Sequence, residues 1–182
     1  DDGLPWAVSS ARTLSAGGCA EVVVVIGAAA PAVRALLAGE PVTIIEADDW
    51  NEGMGASLRA GLRAIAASDA PAALVHLVDL PDVGPEVIRR VLAHAAPGIL
   101  ARASYDRDPE HPVPVGHPVL IGRDHWAPIL AEATGDTGAR AYLARHDVLR
   151  IECSDLSTGI DIDSAPDTGG DTASSILPKL RP

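Results

Sequence analysis

Along this chain the hydrophobic positions switch repeatedly between two rhythms, a helical spacing and short β-branched runs. Pro5 to Ala16 carries apolar residues at Trp6, Val8, Ala11 and Leu14 and stops at Gly17-Gly18, which predicts a helix with a glycine end. Val22 to Ile26 is a β-branched run closed by Gly27 and predicts a buried strand. Ala30 to Leu37 predicts a short helix ending at Gly39, and Val42 to Ile45 the next strand. Leu58, Leu62 and Ile65 fall at helical spacing and mark a helix that begins near Met54. A further helix starts near Pro85, with Val87, Ile88, Val91 and Leu92 on one face. Strands are expected at Ile99 to Ala103, Pro118 to Ile121 and Val148 to Ile151, and helices at Asp124 to Ala133 and Thr137 to His146. This alternation calls for an α/β fold, a mainly parallel sheet with helices on both faces and right-handed crossovers.

One stretch stands out within that pattern. Ala72 to Val78 is apolar without polar alternation and ends in Asp79-Leu80-Pro81-Asp82. Such a run suits a strand buried on both faces of a parallel sheet. Ligands in such sheets bind beyond the carboxyl ends of the strands, so Asp79 stands where a metal or a phosphate-bearing substrate would sit. The alternative is that Asp79 caps the turn before the helix near Pro85. His76, inside the same run, reads as a satisfied core histidine.

Composition narrows the class. The 182 residues suffice for one domain with a substantial core, and 47% hydrophobic with 21% charged content is ordinary for a soluble protein. Phe is absent, so the core is built from Ala, Val, Leu and Ile. A net charge of −11 argues against nucleic acid and anionic membranes as partners, but not against a phosphate-bearing ligand screened by magnesium. Cys19 and Cys153 sit in or beside apolar stretches and read as reduced core residues. No apolar segment approaches the roughly 20 residues of a membrane span and no signal peptide is visible, so a cytoplasmic location is expected. The charged, proline-rich stretch between Tyr105 and His117 reads as a functional or disordered loop, and the residues from Gly169 onward as weakly structured.

Candidate chemistry lies in four further places. Gly53-Met54-Gly55-Ala56-Ser57 opens a helix, where glycines admit close approach and free N–H groups favour an anion; a purely structural turn is the competing reading. Asp161-Ile162-Asp163 in extended chain would point both carboxylates one way, suiting Mg²⁺ together with Asp79, although the same residues also fit a turn ahead of Pro166. Asp136 occupies an N-cap position before a helix carrying Arg140, which can reach a phosphate or carboxylate or simply face solvent. His117, between Gly116 and Pro118, is a structural histidine or a substrate contact. No catalytic triad order and no zinc spacing is present.

Taken in order, Trp50-Asn-Glu-Gly53-Met54-Gly55-Ala56-Ser57-Leu58, Val78-Asp79-Leu80-Pro81, Gly116-His117-Pro118-Val119-Leu120, Gly135-Asp136-Thr137-Gly138-Ala139-Arg140 and Asp161-Ile162-Asp163-Ser164-Ala165-Pro166-Asp167 resemble the MobA-like nucleotidyltransferases over most of the chain. The similarity is greatest to the molybdenum cofactor cytidylyltransferase branch. The resemblance implies a three-layer Rossmann-like fold and a Mg²⁺-dependent transfer of a nucleoside monophosphate from an NTP, CTP or GTP, to a phosphorylated pterin, releasing pyrophosphate. A molybdoenzyme would be the eventual client. It assigns Asp79 to the metal and the chemistry, with Asp161 or Asp163 completing the metal site. Gly53, Gly55 and Ser57 match the nucleotide segment, and His117, Asp136 and Arg140 the pterin side. The family's opening strand and its glycine-rich loop, Leu-Ala-Ala-Gly followed by Gly, Arg and Pro-Lys, have no counterpart in these residues, so a missing N-terminal piece is expected. Ala47-Asp48 stands where the family has Asn-Pro, and Val115 where it commonly has a basic residue. A sugar phosphate or other phosphorylated acceptor, or a non-catalytic cofactor carrier, are the alternative functions.

Overall fold

The computed structural model describes residues 3–105 and 116–160. Within them the order is α1 (Trp6–Ala16), β1 (Val23–Ile26), α2 (Ala30–Leu36), β2 (Thr43–Glu46), α3 (Met54–Ile65), β3 (Ala72–Val75), α4 (Pro85–Leu92), β4 (Leu100–Ser104), β5 (Val119–Gly122), α5 (Trp126–Glu132), α6 (Arg140–Leu143) and β6 (Leu149–Glu152). The alternation read from the sequence is present. The strands form two groups, a parallel pair β1-β2 and a four-stranded sheet in the order β3-β5-β4-β6. β6 runs parallel to β4, while β5 is antiparallel to both its neighbours, so β3, β4 and β6 share one direction and only β5 is reversed. Hydrophobic periodicity sets which face a residue takes but carries no information on strand direction, so this reversal was not legible.

Helices cover both faces. β5 shows the period of two directly: Val119 and Ile121 pack with Leu62, Trp126, Ile129 and Leu143 of α3, α5 and α6, while Leu120 packs with Val87, Ile88 and Val91 of α4. A third cluster, Ala7, Val8, Ile26, Ala30, Val33 and Leu37, joins α1 and α2 to β1. Cys153 is fully buried and Cys19 half-buried, both as free thiols.

Two expectations are corrected. β3 ends at Val75, so His76 lies beyond the strand, and all four β3 residues are half-buried rather than buried. The reason is that, among the described residues, β3 has a neighbour on one side alone, β5. The last helix is a single turn, Arg140–Leu143, preceded by a 3-10 turn at Gly135–Thr137. Gly138, at φ 52° and ψ −125°, takes a conformation that interrupts a helix, so Asp136 lies inside the 3-10 turn and Ala139 is the N-cap. The N-cap of α4 is Gly84, with no side-chain cap. Asp161 and Asp163, like residues 106–115, lie outside the described residues.

Candidate active site

Beyond the carboxyl end of β3 the chain runs through His76-Leu77-Val78-Asp79-Leu80, and this segment separates two cavities. The larger, about 720 Å³, is walled by Met54, Leu58, Leu77, Leu80, Leu143 and Ile160 and holds Arg102, His117 and Arg140. The smaller, about 580 Å³, is lined by Trp6, Ser9, Ser10 and Thr13 of α1 and by His76, Val78 and Asp82. Leu80 lines both; Asp79, beside it in sequence, lines neither and is half-buried with its Oδ1 shielded from solvent.

The larger cavity is cationic within an acidic protein. Arg102 sits mid-strand in β4, paired in register with Val119 of β5 and Arg150 of β6. Its pKa is lowered, first by burial and then by the nearby charges of Arg150 and Arg140. Among the described residues that line this cavity there is no Asp or Glu. Two guanidiniums held near each other against net charge −11 form a local field that favours an anion. His117 is pushed down to about 4, chiefly by burial and further by Arg102, His76 and Arg140. It is therefore a neutral imidazole at pH 7, able to donate at one ring nitrogen and accept at the other.

His117 is held from behind. The Tyr105 hydroxyl donates to the His117 carbonyl at 2.7 Å, and Gly116 and Gly159 pack flat on the Tyr105 ring. A Cβ at Gly116 would come within 2.7 Å of Tyr105 Cε2. Burial raises the pKa of Tyr105, so the hydroxyl stays protonated and keeps donating.

The sequence-derived candidates fall into separate places. His117 and Arg140 share the cationic cavity. Gly53 and Gly55 meet another loop of the protein: a Cβ at Gly53 would strike Asp136 Oδ1 and lie 2.7 Å from the Gly135 carbonyl carbon, and one at Gly55 would lie 2.9 Å from the Thr134 backbone. Their lack of a side chain is thus used by the segment Thr134–Asp136, which brings Asp136 to the start of α3. Met54, between the two glycines, faces the cavity. Ser57 is buried and lines a different feature, a groove between β1 and β3. His76 is not a satisfied core histidine: its Nδ1 is shielded and has no hydrogen-bond partner among the described residues, and burial pushes it down to about 4. Arg102 and Tyr105 were missed. The signal for Arg102 was an arginine set between alanines in a buried strand, which solvation alone does not favour.

No group of three or more His, Cys, Asp or Glu able to hold a metal occurs among the described residues. Asp79, four residues past the end of β3, offers a hard oxygen donor, which fits Mg²⁺ or Mn²⁺, ions that commonly use one or two carboxylates and complete their shell with water and phosphate. Asp82 is engaged elsewhere, its Oδ2 accepting from the Thr158 N–H at 2.7 Å and from the Thr158 hydroxyl. Both cysteine pKa values are raised by burial, so neither is a poised nucleophile. No described helix is long and apolar enough to cross a membrane.

A sheet in which three of four strands share one direction, with helices over both faces, defines an α/β protein. The chain belongs to the MobA-like NTP transferase domain family, whose model matches residues 2–150. It is 39% identical over 158 residues to nicotine blue oxidoreductase of Paenarthrobacter nicotinovorans, covering 85% of this chain and 76% of that one. It is similar in structure to Rv0371c of Mycobacterium tuberculosis H37Rv in complex with manganese, with TM-score 0.64 and 26% identity over 80% of this chain and 74% of that one. A nucleotidyl transferase from Methanothermobacter shares the fold at TM-score 0.70 and 22% identity, over 83% of this chain and 71% of that one.

Proposed function

We propose that the chain forms a single nucleotidyltransferase domain that transfers a nucleoside monophosphate, from CTP in the first instance and GTP as the alternative, to a phosphorylated molybdopterin-type acceptor. The observation that carries this is the pairing of a two-arginine cavity with the carboxylate-bearing partition beside it. Arg102 and Arg140 hold the acceptor's phosphate, and the neutral His117 hydrogen-bonds its ring system. Leu58, Leu77 and Ile160 give an apolar wall for a planar heterocycle. A phosphate oxygen of the acceptor attacks the α-phosphorus of the NTP, the new P–O bond forms as the α–β bridge breaks, and pyrophosphate leaves. No protein nucleophile is needed. Asp79 would hold Mg²⁺, with Asp161 or Asp163 as further ligands, and the ion would supply charge neutralisation on the phosphates. A cytoplasmic setting, where the nucleotide and any molybdoenzyme client are found, fits this reading. A sugar phosphate in place of the pterin leaves the chemistry unchanged.

A second reading is favoured by one observation, the 39% identity to a relative named as an oxidoreductase. On that reading the apolar wall takes a planar dye-like ring and the arginines hold an anionic reductant. One experiment separates the two. Pyrophosphate release is followed with CTP or GTP, Mg²⁺ or Mn²⁺, and a phosphorylated pterin; in parallel, reduced nicotinamide dinucleotide and nicotine blue are followed by absorbance. Metal-dependent pyrophosphate release supports the transferase, and reductant consumption without it supports the second reading.

A further inference from the structure

We infer that Arg59 is a positioning residue whose guanidinium ties the turn Asp49–Glu52 and the segment Ala133–Arg140 to α3 as one unit, and so fixes the wall of the larger cavity that carries Arg140, an inference that rests on reading that cavity as the acceptor site. Arg59 lies in the middle of α3, and its side chain is 12% exposed. Its Nη2 donates to Asp49 Oδ2 at 2.7 Å and to Glu52 Oε2 at 3.1 Å. Its Nη1 donates to the Ala133 carbonyl at 2.5 Å. Arg59 is not among the residues that line the cavity, so it acts through the segments it holds.

The residue type suits the task. A guanidinium is a planar fork with donors on separate nitrogens, so it serves acceptors on two chain segments at once, which the point charge of an ammonium does less well. Ala133 follows the last residue of α5, where helix carbonyls lose their internal partners and the helix dipole favours a cation. Arg59 supplies both the donor and the charge at that end. Its bond to Asp49 is also the first cause holding that carboxyl below its usual range. Charge-assisted bonds made by a largely covered guanidinium are more directional than an exposed ion pair.

The chain just beyond Ala133 is what the tether controls. Thr134–Asp136 lies against Gly53 and Gly55 at the start of α3, with no room for a Cβ at either glycine. The Thr137 hydroxyl donates to the Thr134 carbonyl at 3.2 Å and closes the 3-10 turn. Thr137, Gly138 and Arg140 then line the larger cavity together with Met54 and Leu58 of α3. Contact with a glycine sets how near the segment can come; a directed bond sets where it stays. The same guanidinium holds the turn that leads into Gly53, so both sides of this contact are fixed from one point. A displacement of about 1 Å in a positioning group can cost on the order of a hundredfold in rate, which makes a tether shortly ahead of Arg140 consequential.

The test is Arg59→Ala, with Arg59→Lys, which keeps the charge but not the fork, as the second variant should the first not fold. Amide exchange is read at Glu52 and Gly53, bonded to the Asp49 and Trp50 carbonyls, and at Ala133 and Leu143, bonded to the Ile129 and Ala139 carbonyls. These four should exchange roughly tenfold faster than in wild type, while Val91 of α4 and Leu120 of β5 keep their protection. In steady state the KM for a phosphorylated pterin should rise about tenfold with kcat within about twofold, since the group lost touches no reacting atom. Unchanged exchange at the four amides overturns the proposal. So does faster exchange that extends equally to Val91 and Leu120, which would make Arg59 a support of the whole fold, and so does a loss of kcat at unchanged KM. Faster local exchange in a protein whose wild type releases no pyrophosphate with a phosphorylated pterin would uphold the tether and overturn the acceptor reading instead.

Discussion

β5 and β3 are neighbouring strands of similar apolar sequence, Val-Leu-Ile-Gly and Ala-Ala-Leu-Val, yet one is buried at every position and the other at none. β5 has a strand on each side and helices over both faces, whereas β3 has β5 on one side and an open groove on the other. Burial here is set by what stands beside a strand rather than by how hydrophobic it is. The same contrast separates the two cavities. Where the sheet is complete, Arg102 is fixed between Val119 and Arg150 and aims a charge into a formed pocket. Where it is open, His76 carries an unsatisfied nitrogen.

The largest effect expected is on chemistry at the partition between them. Asp79→Asn should lower metal-dependent turnover about a hundredfold or more while leaving the melting curve unchanged, as loss of one preorganised electrostatic group does. Turnover equal to wild type would remove Asp79 from the metal site.

The strand contrast itself is broken or sharpened by one substitution made twice. Leu120→Ala, at a side chain that is 0% exposed, should cost about 2–5 kcal/mol in urea unfolding. Leu74→Ala, beside the groove, should cost less than about 1.5 kcal/mol, because a half-buried side chain gives up only part of its transfer energy. Equal costs would mean the groove is already filled.

Arg102→Met keeps the bulk of the side chain and removes its charge. It should weaken binding of the phosphorylated acceptor by about 10- to 100-fold, the range of a hydrogen bond to a charged group, and leave NTP affinity unchanged. Arg140→Ala should do the same more weakly; a loss confined to NTP would reverse the assignment of that cavity.

The smallest effect is on acid stability. His76 and His117 are held near 4, below the value of 6.5 they take when unfolded, so between those limits the unfolded chain binds more protons. Stability is then full above about pH 6.5 and falls as pH drops towards 4. His117→Asn should flatten that slope in urea titrations across the window; an unchanged slope would mean that His117 is already charged in the fold.

Much of this was legible in the sequence because hydrophobic period reports facing. The helices at Trp6, Met54 and Pro85 start where the pattern puts them, and the β-branched runs at Val22 and Val42 are strands within a residue. Strand direction was not, since a period of two is the same in β5 whether it is parallel or reversed. The length of α6 was lost at Gly138, whose backbone angles cannot be read from its neighbours. In the site, His117 and Arg140 were legible as polar groups beside turns, and they share a cavity. The two glycines at the start of α3 were read as either a ligand approach or a structural turn, because a glycine marks close approach without saying by what; Thr134–Asp136 comes against both. Arg102 was passed over because a charge in a strand is read as solvated until its neighbours on both sides are known.

The most direct test of the account is calorimetry of CTP and GTP binding to the 182-residue chain, with and without Mg²⁺. The account predicts binding of one nucleotide that requires the metal and is lost in Asp79→Asn. Metal-independent binding that survives that substitution would contradict it.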